Sequence, residues 1–483
     1  MRLWRRPKGV VVLAFLLSAL SCHRLGRFFE YDQSASALLQ PKYIFIFLAD
    51  GAGITHLEIT RLFSQHIYKE RLNVSDRIIK DGRLGLLTTH SADSLVTYSA
   101  EAATALANGC KAKINAIGIC TDGTVPKTVL EVAKGKGMRI GLITTAEIYD
   151  ATPAAFATHV PNRRLSAAIC DQYLTLEPDV LLGGGRDQFL AQNHAGSGRN
   201  DDRDLITLFK NKGYAYVSNK EELMNVRGSK ILGLFSLRDL SFEIDKNKEV
   251  EPSIVDMTQA ALRLLQNDPK NGFVLFIESE HIDTAGHFSD VAALIHDFRE
   301  FDRAVGLAYE FYQKHPHETL LLVTSDHETG GLGLTTSSVT LPNGLQALVN
   351  PSLEDLKKIA SIRISVRKAA ELLDPNPSVE AVKKLVAENF TGFTLPPEVI
   401  QAIVEKKVPG PTLSLNTTAA ALGAMVAHNT HAYWSTSGHT NQPVFVAALG
   451  VGADRFAGYQ DNTDFAKHLF ALIGGAPSDR DSR

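Results

Sequence analysis

Residues 42–49 read KYIFIFLA and run straight into Asp50, in the stretch ADGAG of residues 49–53. Eight residues that are almost wholly apolar, rich in aromatic and β-branched side chains, and closed by an acid and two glycines suit a strand buried on both faces. Four further runs share the pattern: RIGLIT (Arg139 to Thr144), DVLL (Asp179 to Leu182), FVLFI (Phe273 to Ile277) and TLLLVT (Thr319 to Thr324). A strand with no polar face has to be covered on both sides, which an antiparallel sheet exposed to water does not provide.

Helical patterns lie between these runs. Ser253 to Leu265 puts Ile254, Met257, Ala261 and Leu264 on one face, and a longer pattern extends from about Val291 to Lys314. Strands alternating with helices predict an α/β fold: a doubly wound, mostly parallel central sheet with helices on both faces. Residues 337–431 differ. They hold helical patterns at Leu353 to Ile359, Val379 to Glu388 and Pro397 to Val404 and no clear strand alternation, so they read as a largely helical insertion capping the core. A strand, VFVAAL (Val444 to Leu449), and a final helix, Thr463 to Ile473, bring the chain back. The organisation expected is a catalytic core of 41–336, the insertion at 337–431, a return to the core at 432–475 and a polar, disordered tail at 476–483.

The N-terminus carries Arg2, Arg5, Arg6 and Lys8 ahead of an apolar run from Val10 to Leu20, the pattern of a secretory signal over residues 1–21, with 22–40 as a linker. The run falls short of the ~20 apolar residues a bilayer-spanning helix needs. Cys22 stands where a bacterial lipoprotein is cleaved and lipidated, although Ala19 occupies a position where Leu is usual. Lipid attachment at Cys22 and an ordinary cleavage site nearby are the two alternatives. Either way the protein is expected to be secreted across the inner membrane and to be periplasmic or lipid-anchored in the cell envelope. In an oxidising compartment Cys110 and Cys120 can pair, which leaves Cys170 odd. The net charge of −3 over 483 residues gives no basic field, which excludes nucleic acid as a partner.

Ligands bind beyond the carboxyl ends of strands in an open parallel sheet. Asp50 follows the first strand. Asp150 and Thr152 lie soon after RIGLIT, in YDATPAA. Glu278 follows FVLFI, with Asp283 and His287 close behind in ESEHIDTAGH. Asp326 and His327 follow TLLLVT, and His439 precedes VFVAAL. Mixed carboxylate and imidazole sets suit zinc, whereas an all-oxygen set suits magnesium. The paired cysteines of a structural zinc site are absent outside Cys110 and Cys120. Ser99 opens an Ala-rich helical stretch that ends at Asn108-Gly109. Local pattern makes it a helix N-cap. The same geometry lets it be a nucleophile, because a helix N-terminus favours anions and a hydroxyl beside a metal is readily activated. Gly183 to Gly185 lacks a phosphate-loop pattern and reads as a tight turn. His56, His159, His281 and Glu280 read as solvated or supporting residues.

Taken together, ADGAG, VTYSAEAATALANG, KINAIGI, TTAEIYDATPAAFATHVPNRR, LLGGGRD, FIESEHIDTAGH, VTSDHETGG and SGHTNQPVFVAALG resemble the alkaline phosphatase family in both content and order, from Tyr43 to about Gly474. The resemblance implies hydrolysis of small phosphate monoesters through a phosphoserine on Ser99, with two zinc ions and one magnesium ion. Asp283, His287 and His439 would hold the first zinc; Asp50, Asp326 and His327 the second; Asp150, Thr152 and Glu278 would complete the magnesium site with Asp50. Arg163, in HVPNRR, would clamp the phosphoryl oxygens. Members of the family are commonly dimers, which implies a homodimer. Two positions depart from the pattern. Tyr98 stands where the family usually has the Asp that orients the arginine, predicting a freer Arg163, and Thr284 replaces a Lys or His near the phosphate. Other readings stand beside this one: a phosphodiesterase or sulfatase of the same superfamily, or a weakly active phosphate-binding lipoprotein. The sequence after Ser99 lacks the Pro-x-Arg signature of a sulfatase.

Overall fold

The alternation of side chains along Tyr43–Ala49 (β1) divides the core in two. Phe45 and Phe47 enter one apolar layer, and Ile44, Ile46 and Leu48 enter the other; all are fully buried. No position on this strand has a wet side, which is why its sequence shows no polar alternation. The computed structural model describes residues 40–267, 270–340, 343–407 and 416–475. The signal segment, Cys22 and the tail from 476 onward therefore lie outside the described residues. Among the described residues no helix is long and apolar enough to cross a membrane.

β1 belongs to a ten-stranded sheet. Its other members in chain order are β2 (Arg83–Leu87), β3 (Arg139–Glu147), β4 (Val180–Gly184), β5 (Ala215–Val217), β6 (Ile231–Leu234), β7 (Phe273–Ser279), β8 (Thr319–Thr324), β9 (Val444–Gly450) and β10 (Gly458–Gln460). The spatial order is β10-β2-β9-β8-β1-β7-β3-β4-β6-β5. β1 therefore lies between β7 and β8, more than 200 residues away in sequence, and pairs in parallel with both. Only β9 runs against its neighbours, β2 and β8. Helices cover both faces, so the doubly wound, mostly parallel α/β sheet expected from the sequence is the observed architecture.

The short strands β2, β5, β6 and β10 gave no clear signal in the sequence. Arg83–Leu87 is exposed at its start, and Ala215–Val217 and Gly458–Gln460 have three residues each, too few to show a period. Gly183 and Gly184 are not a turn: they complete β4. Only Gly185 takes a positive φ, of 83°, beyond the strand. Residues 337–431 contain the expected helices, at Leu353–Ala360, Val379–Asn389 and Pro397–Glu405, and also a two-stranded hairpin of Ser337–Thr340 with Gln346–Val349. The hairpin was missed because its strands have four residues each and pair only with one another. Cys110 and Cys120 form a disulfide, and Cys170 is a buried free thiol.

Candidate active site

The parallel strands end on one rim, and β9 explains how His439 reaches it. Being antiparallel, β9 begins at the rim where the others finish: Val444 pairs with Leu87 and Val446 with Thr324. A residue that precedes this strand thus stands where residues that follow β1, β7 and β8 stand.

Backbone contacts fix the acids. The Asp50 amide extends the β1–β7 ladder to the Ser279 carbonyl at 3.2 Å. Gly51, at φ 71°, presses against the backbone of Asp283; a Cβ there would lie 2.7 Å from the Asp283 Cα, so only glycine permits both the turn and the approach. The Gly51 amide donates to Asp326 Oδ1 (3.3 Å) and the Ala52 amide to Ser325 Oγ (3.0 Å). Asp283 sits in the helix His281–His287, one turn ahead of His287 on the same face.

The imidazoles are aimed from behind. His287 Nδ1 donates to the Ser437 carbonyl (2.6 Å) and His439 Nδ1 to the Thr97 carbonyl (2.8 Å), since a carbonyl only accepts. Both Nε2 atoms then point inward. They lie 3.1 Å apart, and His287 Nε2 is also 3.1 Å from Asp283 Oδ2. His327 Nε2 lies 3.1 Å from Asp326 Oδ2 and 3.6 Å from Asp50 Oδ1, and its ring stacks on His439 with centroids 3.7 Å apart. Ligand-capable atoms of Asp283, His327 and His439, and separately of Asp50, Asp326 and His327, fall within 4.8 Å of one another. Thr152 Oγ1 donates to Asp50 Oδ2 (3.2 Å), and Thr144 Oγ1 to Glu278 Oε2 (2.5 Å).

This arrangement holds more negative charge than its own cations balance. Burial, then repulsion from Asp326 and Asp283, pushes Asp50 well above the usual carboxylate range. Burial lifts Asp326 to about 7, and burial with the Asp150 charge lifts Glu278 to about 8. Burial alone would lower His287, but Asp283 outweighs it and raises it to about 9. Among the described residues nothing donates a hydrogen bond to the buried oxygens Asp50 Oδ1, Asp326 Oδ2 and Glu278 Oε1. Unpaired buried carboxylate oxygens are costly, and so is the mutual repulsion of Asp50, Asp326 and Asp283. Divalent cations relieve both, so oxygen and nitrogen donors of this kind fit metal ions.

Ser99 is the first residue of the helix Ser99–Asn108 and only 5% exposed. It is not the N-cap: that position is Tyr98, whose amide donates to Glu101 Oε1 at 2.7 Å. Glu101 was not singled out by the sequence pattern, although its place three residues past the cap is a capping-box signal. Its other oxygen accepts from the Asn115 amide (3.0 Å). Because Glu101 serves the helix end, Ser99 Oγ is left facing His327 Nε2 at 3.3 Å. Thr329, also unforeseen, donates through Oγ1 to Asp283 Oδ1 and lies 3.3 Å from His327 Nδ1.

Arg163 is held rather than free. Its Nη2 donates to Asp150 Oδ1 at 2.6 Å and its amide to the Asn115 carbonyl at 2.9 Å. Asp150 takes up the arginine while Tyr98, 49% exposed, turns its ring to His439. Arg164 is exposed. Thr284 Oγ1 donates to Glu280 Oε1 (2.5 Å). His56 and His281 are buried, not solvated. His56 Nδ1 accepts from the Gly53 amide (3.0 Å) and Nε2 donates to the Thr329 carbonyl (3.1 Å), so it braces the segment carrying Thr329. His281 packs on Phe242, and His159 pairs with Glu131 at 2.9 Å.

A buried serine at a helix start, facing clustered carboxylates and imidazoles at the carboxyl ends of a parallel sheet, defines a hydrolase with a candidate metal centre. Residues 41–474 match the family described as alkaline phosphatase. Alkaline phosphatase 3 of Bacillus subtilis (strain 168) is 33% identical over 440 residues, 89% of each chain, and alkaline phosphatase 4 of the same organism is 31% identical over 466 residues, 93% of each. The crystal structure of Thermus thermophilus alkaline phosphatase has a TM-score of 0.81 at 28% identity and covers 91% of this chain and 92% of that one. The cold-active alkaline phosphatase of Shewanella sp. gives 0.74 at 30%, covering 89% and 99%. The chain belongs to the alkaline phosphatase family, which is metal-dependent, and it is a phosphomonoesterase.

Proposed function

We propose that the enzyme hydrolyses small phosphate monoesters through a phosphoserine on Ser99. The observation that carries this reading is the 3.3 Å approach of Ser99 Oγ to His327 Nε2, inside a group of buried carboxylates with unpaired oxygens. Asp283, His287 and His439 would hold one zinc ion and Asp50, Asp326 and His327 a second, while Asp150, Thr152 and Glu278 with Asp50 would hold magnesium. Divalent ions bound there would supply Lewis-acid stabilisation of the charge that develops on the attacking and departing oxygens.

The chain's own residues do the rest. Ser99 Oγ forms a bond to phosphorus as the ester P–O bond breaks; its proton passes to solvent and the alcohol leaves protonated. Water then cleaves the phosphoserine, releasing orthophosphate and restoring the hydroxyl. The free amides at the start of the Ser99–Asn108 helix favour the negative phosphoryl group. The Arg163 guanidinium, oriented by Asp150, supplies a planar pair of donors for two phosphoryl oxygens. His287 and His439 are kept in the tautomer that offers Nε2 by their bonds to backbone carbonyls.

The basic-then-apolar N-terminus and the Cys110–Cys120 bond support placing the enzyme outside the cytoplasm, periplasmic or anchored at Cys22. The defining experiment compares an aryl phosphate monoester, a diester and an aryl sulfate, each with and without chelator. Chelator-sensitive turnover of the monoester, with phosphate trapped on Ser99 at acid quench and absent in Ser99→Ala, is expected. Preference for the diester or the sulfate would overturn the assignment.

A further inference from the structure

A cavity of about 410 Å³ opens beside His287. That volume lies in the range of small-molecule sites. The candidate active site and this cavity share His287 as a wall: its Nε2 faces Asp283 and His439, and Ser437, whose carbonyl holds its Nδ1, lines the same space. The opposite walls come from the insertion and the chain just after it. Val399 and Ala402 project from the helix Pro397–Glu405, Ala420, Ala424 and Ala427 from the helix Thr417–Thr430, and Tyr433 and Trp434 from the strand beyond it.

Close packing brings these walls to the centre. A Cβ on Gly423 would lie 2.8 Å from the Phe288 carbonyl oxygen, so this glycine lets its helix descend onto the residues after His287. A Cβ on Gly330 would strike the Trp434 ring at 2.3 Å, so that glycine admits the indole. The lining is mostly apolar and aromatic. Its ionisable members other than His287 are Glu398 and His428, both exposed, and Tyr433, half-buried. Two donors in the wall, Ser437 Oγ and Trp434 Nε1, are buried without a hydrogen-bond partner among the described residues.

We propose that this cavity is the subsite for the alcohol half of the substrate, and that it takes an uncharged aromatic or bulky alkyl group. The proposal rests on the phosphatase reading of the adjoining site and deepens it. An apolar pocket one imidazole ring away from the reacting centre binds a ring through burial and aromatic contact. An alcohol half carrying further phosphates would have to enter a space with no Lys or Arg among the described residues of its wall and with Glu398 at its edge, so such esters are disfavoured.

The test compares 2-naphthylethyl phosphate with ethyl phosphate, whose leaving groups are both primary alcohols. The wild-type enzyme is expected to favour the naphthyl ester in kcat/KM by at least about tenfold. Ala424→Trp, on the exposed side of its helix, fills the space and should cut that ratio about tenfold. Tyr433→Ala removes an aromatic wall and should lower it too, giving a second route if the first variant folds poorly. Binding of 2-naphthylethylphosphonate, measured by competition, should weaken in both variants more than binding of inorganic phosphate. A wild-type ratio near one, or a ratio unmoved in both folded variants, would overturn the subsite. Turnover of neither ester by the wild-type enzyme would instead overturn the phosphatase reading.

Discussion

The strand-end rim and the insertion at 337–431 are held together in opposite ways. At the rim, most candidate site residues are fixed by partners far away in sequence: Ser99 meets His327, His439 meets Thr97, and Gly51 meets both Asp283 and Asp326. In the insertion four of the five described helices carry a side-chain cap at their start, the exception being Pro397–Glu405. Ser352, Ser365, Ser378 and Asn416 accept hydrogen bonds from amides two or three residues on. Long-range links run from its helices too, as where Asp290 accepts from the Val366 amide and Asp245 from Ser365. A site built from distant segments demands a rigid frame, because chemistry tolerates little misplacement. A wall that shapes the approach can be built from locally encoded helices.

This contrast can be broken at the rim first. Asp283→Asn removes charge from the centre and is expected to cut kcat/KM by at least about 10³-fold, with loss of bound metal by elemental analysis; retained metal and activity would remove Asp283 from the centre. Next in size is Asp150→Asn, which frees Arg163 and should cost about 10- to 100-fold in kcat/KM. Tyr98→Asp offers Arg163 a second carboxylate and should tighten inhibition by phosphate severalfold; an unchanged inhibition constant would mean that Asp150 alone decides the arginine's position.

Smaller effects separate bracing from chemistry. Burial, opposed by its bonds to Thr329 and Gly53, lowers the His56 pKa from 6.5 to about 4. The unfolded chain therefore binds a proton there that the folded chain refuses. Stability rises with pH across this window and is lost as pH falls through it, by roughly 3 kcal/mol for this one group. Urea unfolding at about pH 6.5 and about pH 4.5 should show a smaller loss in His56→Gln than in the wild type. The smallest effect belongs to the insertion. Ser378→Ala deletes the acceptor for the Ala381 amide and should lower stability by about 1 kcal/mol, with kcat/KM toward an aryl phosphate unmoved.

Much of this enzyme was legible in its sequence. The long buried strands announced themselves because both faces are apolar, and most chemistry-bearing residues stand just beyond the carboxyl ends of those strands. Tyr98 and Arg163 show where such reading stops. The absence of an Asp before Ser99 predicted a loose arginine, but Asp150, 13 residues before it in sequence, takes its place. Ser99 likewise reads as a helix cap until Glu101 is seen bonding the Tyr98 amide. His56 and His281 read as either solvated or supporting, because nothing local distinguishes a buried imidazole from an exposed one; the structure buries both.

The α/β class, the ends of the main strands and the donor types offered at each end are all readable along the chain, because they come from short-range periodicity and residue chemistry. Three further features arise in the packed molecule alone: β9 runs antiparallel and so delivers His439 to the rim, backbone carbonyls turn the histidines inward, and insertion helices line a cavity beside His287. Each of these depends on the relative placement of segments far apart in the chain, which no local pattern encodes.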